Sequence, residues 1–188
     1  MDAAQKQTKL QLLRQIPGVT SASDVSNHTP FSRVENGMPR GALIEIGGCP
    51  GSGKTELVLQ FLAENPKLRV AWIEKEFSIY PCAFAEHEID LGRLLFVDPG
   101  PKTAMWCAHQ ILKSQLFEVI TITEEEGARS DENSLRRLQL LAQKSQSTIF
   151  LLNSEARTEK HWPISMQLEV KRSPKGLAQI ETLKRKLR

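Results

Sequence analysis

The residues that could do chemistry sit together in one short stretch: Gly48-Cys49-Pro50-Gly51-Ser52-Gly53-Lys54-Thr55. They fill every fixed position of the pattern G-x-x-x-x-G-K-S/T, with a spare glycine inside. That composition suits a polyphosphate. Glycine lets backbone N–H groups turn inward around the anion. The lysine reaches the terminal phosphate oxygens, and the hydroxyl of the next residue ligates Mg²⁺. The expected ligand is ATP or ADP with Mg²⁺. Gly48, Cys49, Pro50, Gly51, Ser52, Gly53, Lys54 and Thr55 would form its cradle, Lys54 would act on the reacting phosphate, and Thr55 would hold the metal.

Such a loop works only between a strand and a helix, and both are legible. Ala42-Leu43-Ile44-Glu45-Ile46 reads as a buried strand. Residues up to Glu64 read as a helix with Leu57, Val58, Phe61 and Leu62 on one face. The N-terminus of that helix adds its dipole to the anion site.

Beyond the loop, strand and helix signals alternate. Strands are predicted at 42–47, 69–74, 94–98, 117–123 and 148–153. Helices are predicted between them at 54–64, 82–89, 102–115 and 132–145. Met105, Ala108, Ile111 and Leu112 share one helix face; Leu135, Leu138, Leu141 and Ala142 share another. This order implies an α/β fold with a mostly parallel central sheet flanked by helices. Apolar runs such as Leu94-Leu95-Phe96-Val97 suit strands buried on both faces. The end of the chain differs. Residues 164–170 and 177–183 alternate apolar with polar around a turn at Ser173-Pro174-Lys175-Gly176. They read as a C-terminal antiparallel hairpin that extends one sheet edge.

Residues 1–30 are expected to stand apart as an N-terminal helix and linker, leaving 31–188 as the core domain. Residues 3–16 carry Leu10, Leu13 and Ile16 on one stripe, which needs a partner surface on its own domain or on a neighbour. Phe31 is either a core anchor or a docking residue for an adjacent protomer.

Composition sets the class. The chain has 188 residues, 40% hydrophobic and 25% charged, as in ordinary globular proteins. It holds no run of about eighteen apolar residues and no signal-peptide core, so no membrane association is expected. Cys49, Cys82 and Cys107 are few, odd in number and far apart. That argues against a disulfide framework or a zinc site and for a reducing cytoplasm. His28, His87, His109 and His161 lack ligand spacing. Net charge is +3, yet residues 171–188 hold seven basic residues and one acid. Lys171, Arg172, Lys184, Arg185, Lys186 and Arg188 would either contact a phosphate backbone or simply solvate the chain end.

From about residue 30 to the end, the order of segments resembles the RecA family of ATPases. Gly37-Met38-Pro39-Arg40-Gly41 followed by the strand from Ala42 looks like that family's lead-in to its phosphate loop. Arg69 to Glu76 looks like the next strand, and Ile89-Asp90-Leu91-Gly92-Arg93-Leu94-Leu95 like the entry to the third. The resemblance implies that Glu76 polarises the attacking water. It implies that Asn153 or Ser154 senses the γ-phosphate. It also implies that a loop after Asn153 faces DNA, with Arg157, Lys160 and Trp162 able to stack and pair there, or to serve as a plain connection.

The chain departs from the family at one strand tip. The Asp that should end the fourth strand is replaced by Thr123; Glu124 and Glu125 follow as substitutes or as loop acids. Three consecutive acids, Glu124 to Glu126, would repel a phosphate backbone where the first DNA loop is expected. The shortened form looks most like the ImuA-type accessory proteins of bacterial translesion mutasomes, distantly similar to SulA division inhibitors. The resemblance therefore implies an ATP-binding protein of DNA repair and the SOS response, with weak or DNA-dependent ATPase activity. Implied partners are RecA or a translesion polymerase, single-stranded DNA, and further copies through the N-terminal helix. The rival is an adaptor that binds a polymerase or RecA without turnover. A small-molecule kinase is disfavoured, since no acceptor-binding lid is evident.

Overall fold

The computed structural model describes residues 27–124, 131–154, 163–172 and 178–185. The expected helix at 3–16 and the candidates Glu125, Arg157, Lys160, Trp162, Lys186 and Arg188 lie outside the described residues.

Two short strands, β1 (His28–Thr29) and β2 (Met38–Pro39), pair antiparallel ahead of the main sheet. Then come β3 (Ala42–Gly47), α1 (Lys54–Glu64), β4 (Val70–Ile73), α2 (Cys82–Glu86), β5 (Leu94–Val97), α3 (Ala104–Ser114), β6 (Val119–Thr123), α4 (Glu132–Ser145), β7 (Thr148–Asn153), β8 (Met166–Arg172) and β9 (Ala178–Arg185). The seven-stranded sheet has the order β5-β4-β6-β7-β3-β8-β9. All neighbours are parallel except β8 and β9, which close the expected hairpin on one edge.

Strand alternation divides the core into two layers. One face carries Ile44, Ile46, Trp72, Phe150 and Leu168 beneath α1 and α2. The other carries Leu43, Ala71, Ile73, Ile120, Ile122 and Leu151 beneath α3 and α4. Phe31 is a core anchor: it is buried and meets Phe61 edge-on, with ring centroids 5.6 Å apart. Phe61 in turn meets Phe150 at 5.2 Å, which ties α1 to β7.

Helix ends follow local chemistry. Thr103 and Asp131 cap α3 and α4 by accepting from the N–H of Trp106 and Ser134. Gln115 and Gln146 close the same helices in the left-handed region. Glu88, with φ 56°, stops α2 short of the expected residue 89. The far end of α1 is held by Arg93, whose guanidinium donates to the carbonyls of Leu62, Asn65 and Leu68 at 2.7–3.0 Å.

The sheet corrects one expectation. Leu94 to Val97 form an edge strand rather than one buried on both faces, and Leu95 is 40% exposed. An apolar run shows that a strand avoids water on average; its place in the sheet order is set by which neighbours pair with it.

Candidate functional site

All the parallel strands end on one edge of the sheet. Gly47 pairs with Asn153, Thr123 with Leu152, and Ile73 with Ile122. The phosphate loop, Glu76, Thr123 and Asn153 therefore come from four neighbouring strand tips. The sequence placed them far apart; the parallel crossovers bring them to one side.

The loop is shaped by its glycines and by β8. Gly51 and Gly53 have φ of 76° and 102°, a region that side chains strain to reach. A Cβ on Gly48 would lie 2.4 Å from the Val170 carbonyl oxygen and 2.6 Å from Ser52 Oγ, so only glycine fits. The Ser52 N–H donates to the Cys49 carbonyl at 3.1 Å. Lys54 Nζ spans the loop, donating to the Gly48 carbonyl and to that of Cys49 at 3.2 Å. Burial pushes the Lys54 ammonium below the ordinary lysine range, while Cys49 acts in the opposite direction.

The loop itself shows whether a nucleotide's phosphates suit these residues. Helix α1 begins at Gly53 with no side-chain cap, unlike α3 and α4, so its first turn keeps donors for an anion. A Cβ on Gly51 would meet no atom within 4 Å, so that side of the loop is open. Ser52 Oγ is buried and finds no partner among the described residues. Thr55 is exposed on the first turn, one residue beyond Lys54. Uncapped donors, a half-buried cation and an exposed hydroxyl fit a polyphosphate and its Mg²⁺.

Glu76 lies just past β4, exposed, at φ 60° and ψ 11°. Left-handed backbone at a non-glycine residue costs about 1–2 kcal/mol. Its neighbour Glu74, which the sequence reading passed over, is 7% exposed and holds this turn. The Glu74 carboxylate accepts from Ser78 Oγ at 2.7 Å and from the Ile79 N–H at 3.0 Å. The two acids divide the work: one is buried and builds the turn, the other is displayed by it. Next to the loop, His87 Nε2 sits 3.0 Å from Glu56 Oε2, tying α2 to the first turn of α1.

Thr123 ends β6, and its Oγ1 is shielded from solvent with no partner among the described residues. Thr121 Oγ1 and the indole nitrogen of Trp72, its register partner, are in the same state. Buried polar atoms of this kind cluster where function or ordered water claims them.

Asn153 is 7% exposed, and its Nδ2 donates to Glu45 Oε1 at 2.6 Å. Glu45, fully buried, also accepts from Gln167 Nε2 at 2.7 Å. This three-strand polar bridge was missed by the sequence reading. The signal was an acid in the middle of Ala42-Leu43-Ile44-Glu45-Ile46. Ser154 follows Asn153, half-buried.

The basic residues do not converge. Lys171 and Arg172 lie near the turn of the hairpin, whereas Lys184 and Arg185 pair with Gln167 and Met166 at its other end. Five residues of strand put roughly 17 Å between the two groups. Lys171 is also engaged by Glu169 at 2.7 Å and Glu181 at 3.6 Å. Two cavities lie outside the loop. One of about 280 Å³ opens between α3 and α4, lined by Trp106, His109 and Arg137 among others. One of about 510 Å³ lies along the hairpin beside Arg33.

Known proteins place this arrangement. No protein-family model matches the chain. It is 30% identical over 139 residues to the RecA protein of Mycoplasma mycoides, covering 62% of this chain and 40% of that one. It is 28% identical over 149 residues to the RecA protein of Thermotoga maritima, covering 73% of this chain and 40% of the relative. The chain thus spans 40% of the length of these relatives. Among solved structures, the RadB recombinase superposes with a TM-score of 0.61 at 21% identity, covering 81% of this chain and 84% of that one. The fold is RecA/RadB-like, with the central parallel sheet and terminal hairpin described above. Among the described residues, no helix is long and apolar enough to cross a membrane.

Proposed function

We propose that this chain is a RecA-like nucleotide-binding module of bacterial DNA repair and the SOS response, acting in the cytoplasm as a mutasome accessory. The observation that carries this reading is the intact phosphate loop, open beside Gly51, spanned by Lys54 and joined to a helix with no cap of its own. The likeness to RecA proteins over 139 residues supports the DNA-repair setting.

Lys54 would exchange the loop carbonyls for phosphate oxygens, and Thr55 would hold Mg²⁺. Bound Mg²⁺ would neutralise charge on the β- and γ-phosphates. Glu76 would orient and deprotonate the attacking water. Turnover would be slow, because β6 ends in the neutral Thr123 where the resemblance expects a carboxylate, and positioning supplies most of phosphoryl-transfer catalysis. Single-stranded DNA would meet the basic residues of the hairpin and of 154–163. RecA or a translesion polymerase would bind through the RecA-like surface, and another copy would dock through residues 3–16, expected to be helical. The second reading, a non-hydrolysing adaptor, is favoured by the same Thr123.

Melting with Mg-ATP or Mg-ADP tests the core of the proposal. Ligand that binds only the folded state raises the melting temperature by mass action. The wild type should shift and Lys54→Ala should not; equal silence in both would leave the loop vestigial. Slow turnover, abolished by Glu76→Gln with binding retained, supports the enzyme. Binding with no turnover, with or without single-stranded DNA, supports the adaptor.

A further inference from the structure

On the face of the sheet opposite α1, the groove between α3 and α4 has the chemistry of a docking surface. Each helix lines it with a stripe at i, i+3, i+4 spacing: Trp106, His109 and Gln110 from α3, and Ser134, Arg137 and Leu138 from α4. Among the described residues, no acid lines it. Trp106 is 49% exposed, and the Lys102 ammonium stands 5.5 Å from the centre of its ring. Two adjacent arginines on α4 behave differently. Arg136 turns to Glu132 at 2.9 Å, outside the groove. Arg137 lines the groove, and no described residue gives it a hydrogen bond or an ion pair. Size and charge select the occupant. The groove's volume of about 280 Å³ is just below the range of small-molecule sites, about 300–1,000 Å³, and suits one or two side chains. A stacked nucleobase would need the indole face that Lys102 covers. A carboxylate needs only a cation, and Arg137 and Lys102 offer two. Tryptophan and arginine are also the residues that most often carry the energy of protein interfaces.

We propose that the α3–α4 groove docks an acidic peptide segment of a protein partner. An apolar side chain of that segment enters beside Trp106 and Leu138, and the carboxylates flanking it pair with Arg137 and Lys102. This rests on the protein-partner part of the reading above and gives it a surface. The phosphate loop and α1 lie on the other face, so docking here leaves the nucleotide site's own residues untouched.

The test is fluorescence anisotropy on the full chain with three labelled probes. The first is a peptide with one phenylalanine set among aspartates. The second is its twin with lysines for the aspartates, and the third is a thymidine oligonucleotide. Only the acidic peptide should bind. Its affinity should fall about tenfold or more in Arg137→Glu and in Trp106→Ala, since both remove a contact inside the groove. Arg136→Glu makes the same change of charge one residue away, outside the groove, and should cost less than about threefold. The variants should keep the wild-type circular dichroism and response to Mg-ATP. The inference is overturned if the acidic peptide does not bind the wild type. It is overturned equally if the two arginine variants lose affinity alike, which would mean a general attraction of charge. Binding of the oligonucleotide that depends on Arg137 would overturn it in favour of nucleic acid. Should Trp106→Ala unfold, the comparison of the two arginine variants decides alone. Loss of peptide binding with the Mg-ATP melting shift intact removes this inference and leaves the nucleotide reading in place. Peptide binding without that shift does the reverse.

Discussion

Two alanine substitutions in one loop separate backbone strain from steric collision. Gly51→Ala places a methyl where no atom lies within 4 Å, at φ 76°. Its cost is strain alone, about 1–2 kcal/mol. Gly48→Ala places a methyl 2.4 Å from the Val170 carbonyl oxygen and 2.6 Å from Ser52 Oγ. That carbonyl belongs to β8, which is paired on both sides, so it cannot retreat without breaking sheet hydrogen bonds. Overpacking of this kind costs about 1–3 kcal/mol, and an unfavourable φ adds about 1–3 kcal/mol. Gly48→Ala should therefore lose about 2–6 kcal/mol, centred some 2.5 kcal/mol above Gly51→Ala. At a urea slope of about 2 kcal/mol per M, the two midpoints should differ by roughly 1.2 M. Urea unfolding followed by circular dichroism measures this directly. Equal midpoints would refute the close packing of β8 on the phosphate loop. Gly51→Ala carries a second expectation. Its methyl enters the open side of the loop, so the folded variant should lose most of the nucleotide-induced melting shift.

The remaining expectations concern what holds the site in place. Arg93→Ala removes three hydrogen bonds to the carbonyls of Leu62, Asn65 and Leu68 at the end of α1. It should cost about 2–4 kcal/mol in urea unfolding, since each charged donor contributes about 1.5–3 kcal/mol before water returns to the carbonyls. Arg93→Lys, lacking the fork, should recover less than half, and full recovery would show that charge alone matters. Glu118 opens a pH dependence. Burial pushes its carboxyl up, but the Arg69 side-chain and backbone hydrogen bonds and charge outweigh that and hold it below the usual glutamate range. The unfolded chain therefore takes up the proton first as pH falls. The stabilisation is complete above the ordinary glutamate value and is lost as pH falls through the depressed one. Glu118→Gln should cost about 1 kcal/mol at neutral pH, the pair being partly exposed, and should flatten stability in that acid window. An unchanged acid limb would show that the pair contributes nothing.

Local pattern determined a great deal of this molecule. The bounds of β3, α1, α4 and β7 follow from apolar spacing and turn residues, because those elements carry both the period and the stop signals that define them. The phosphate loop is legible because its chemistry is contained within eight neighbouring residues, Gly48 to Thr55. What tertiary structure alone decided is everything that depends on which strand lies beside which. Leu94 to Val97 read as interior and form an edge, because sheet order is not encoded in a strand's own hydrophobicity. Residues 164–170 alternate as if one face met water, yet Ser165 and Gln167 are buried, and Gln167 lies opposite Glu45 in the β3–β8 register. Glu45 looked like one acid in an apolar strand. Its partners are 108 and 122 residues away, and only the parallel register brings Asn153 and Gln167 to it. A carboxylate's role depends on what faces it, and spacing along the chain does not carry that information across a sheet.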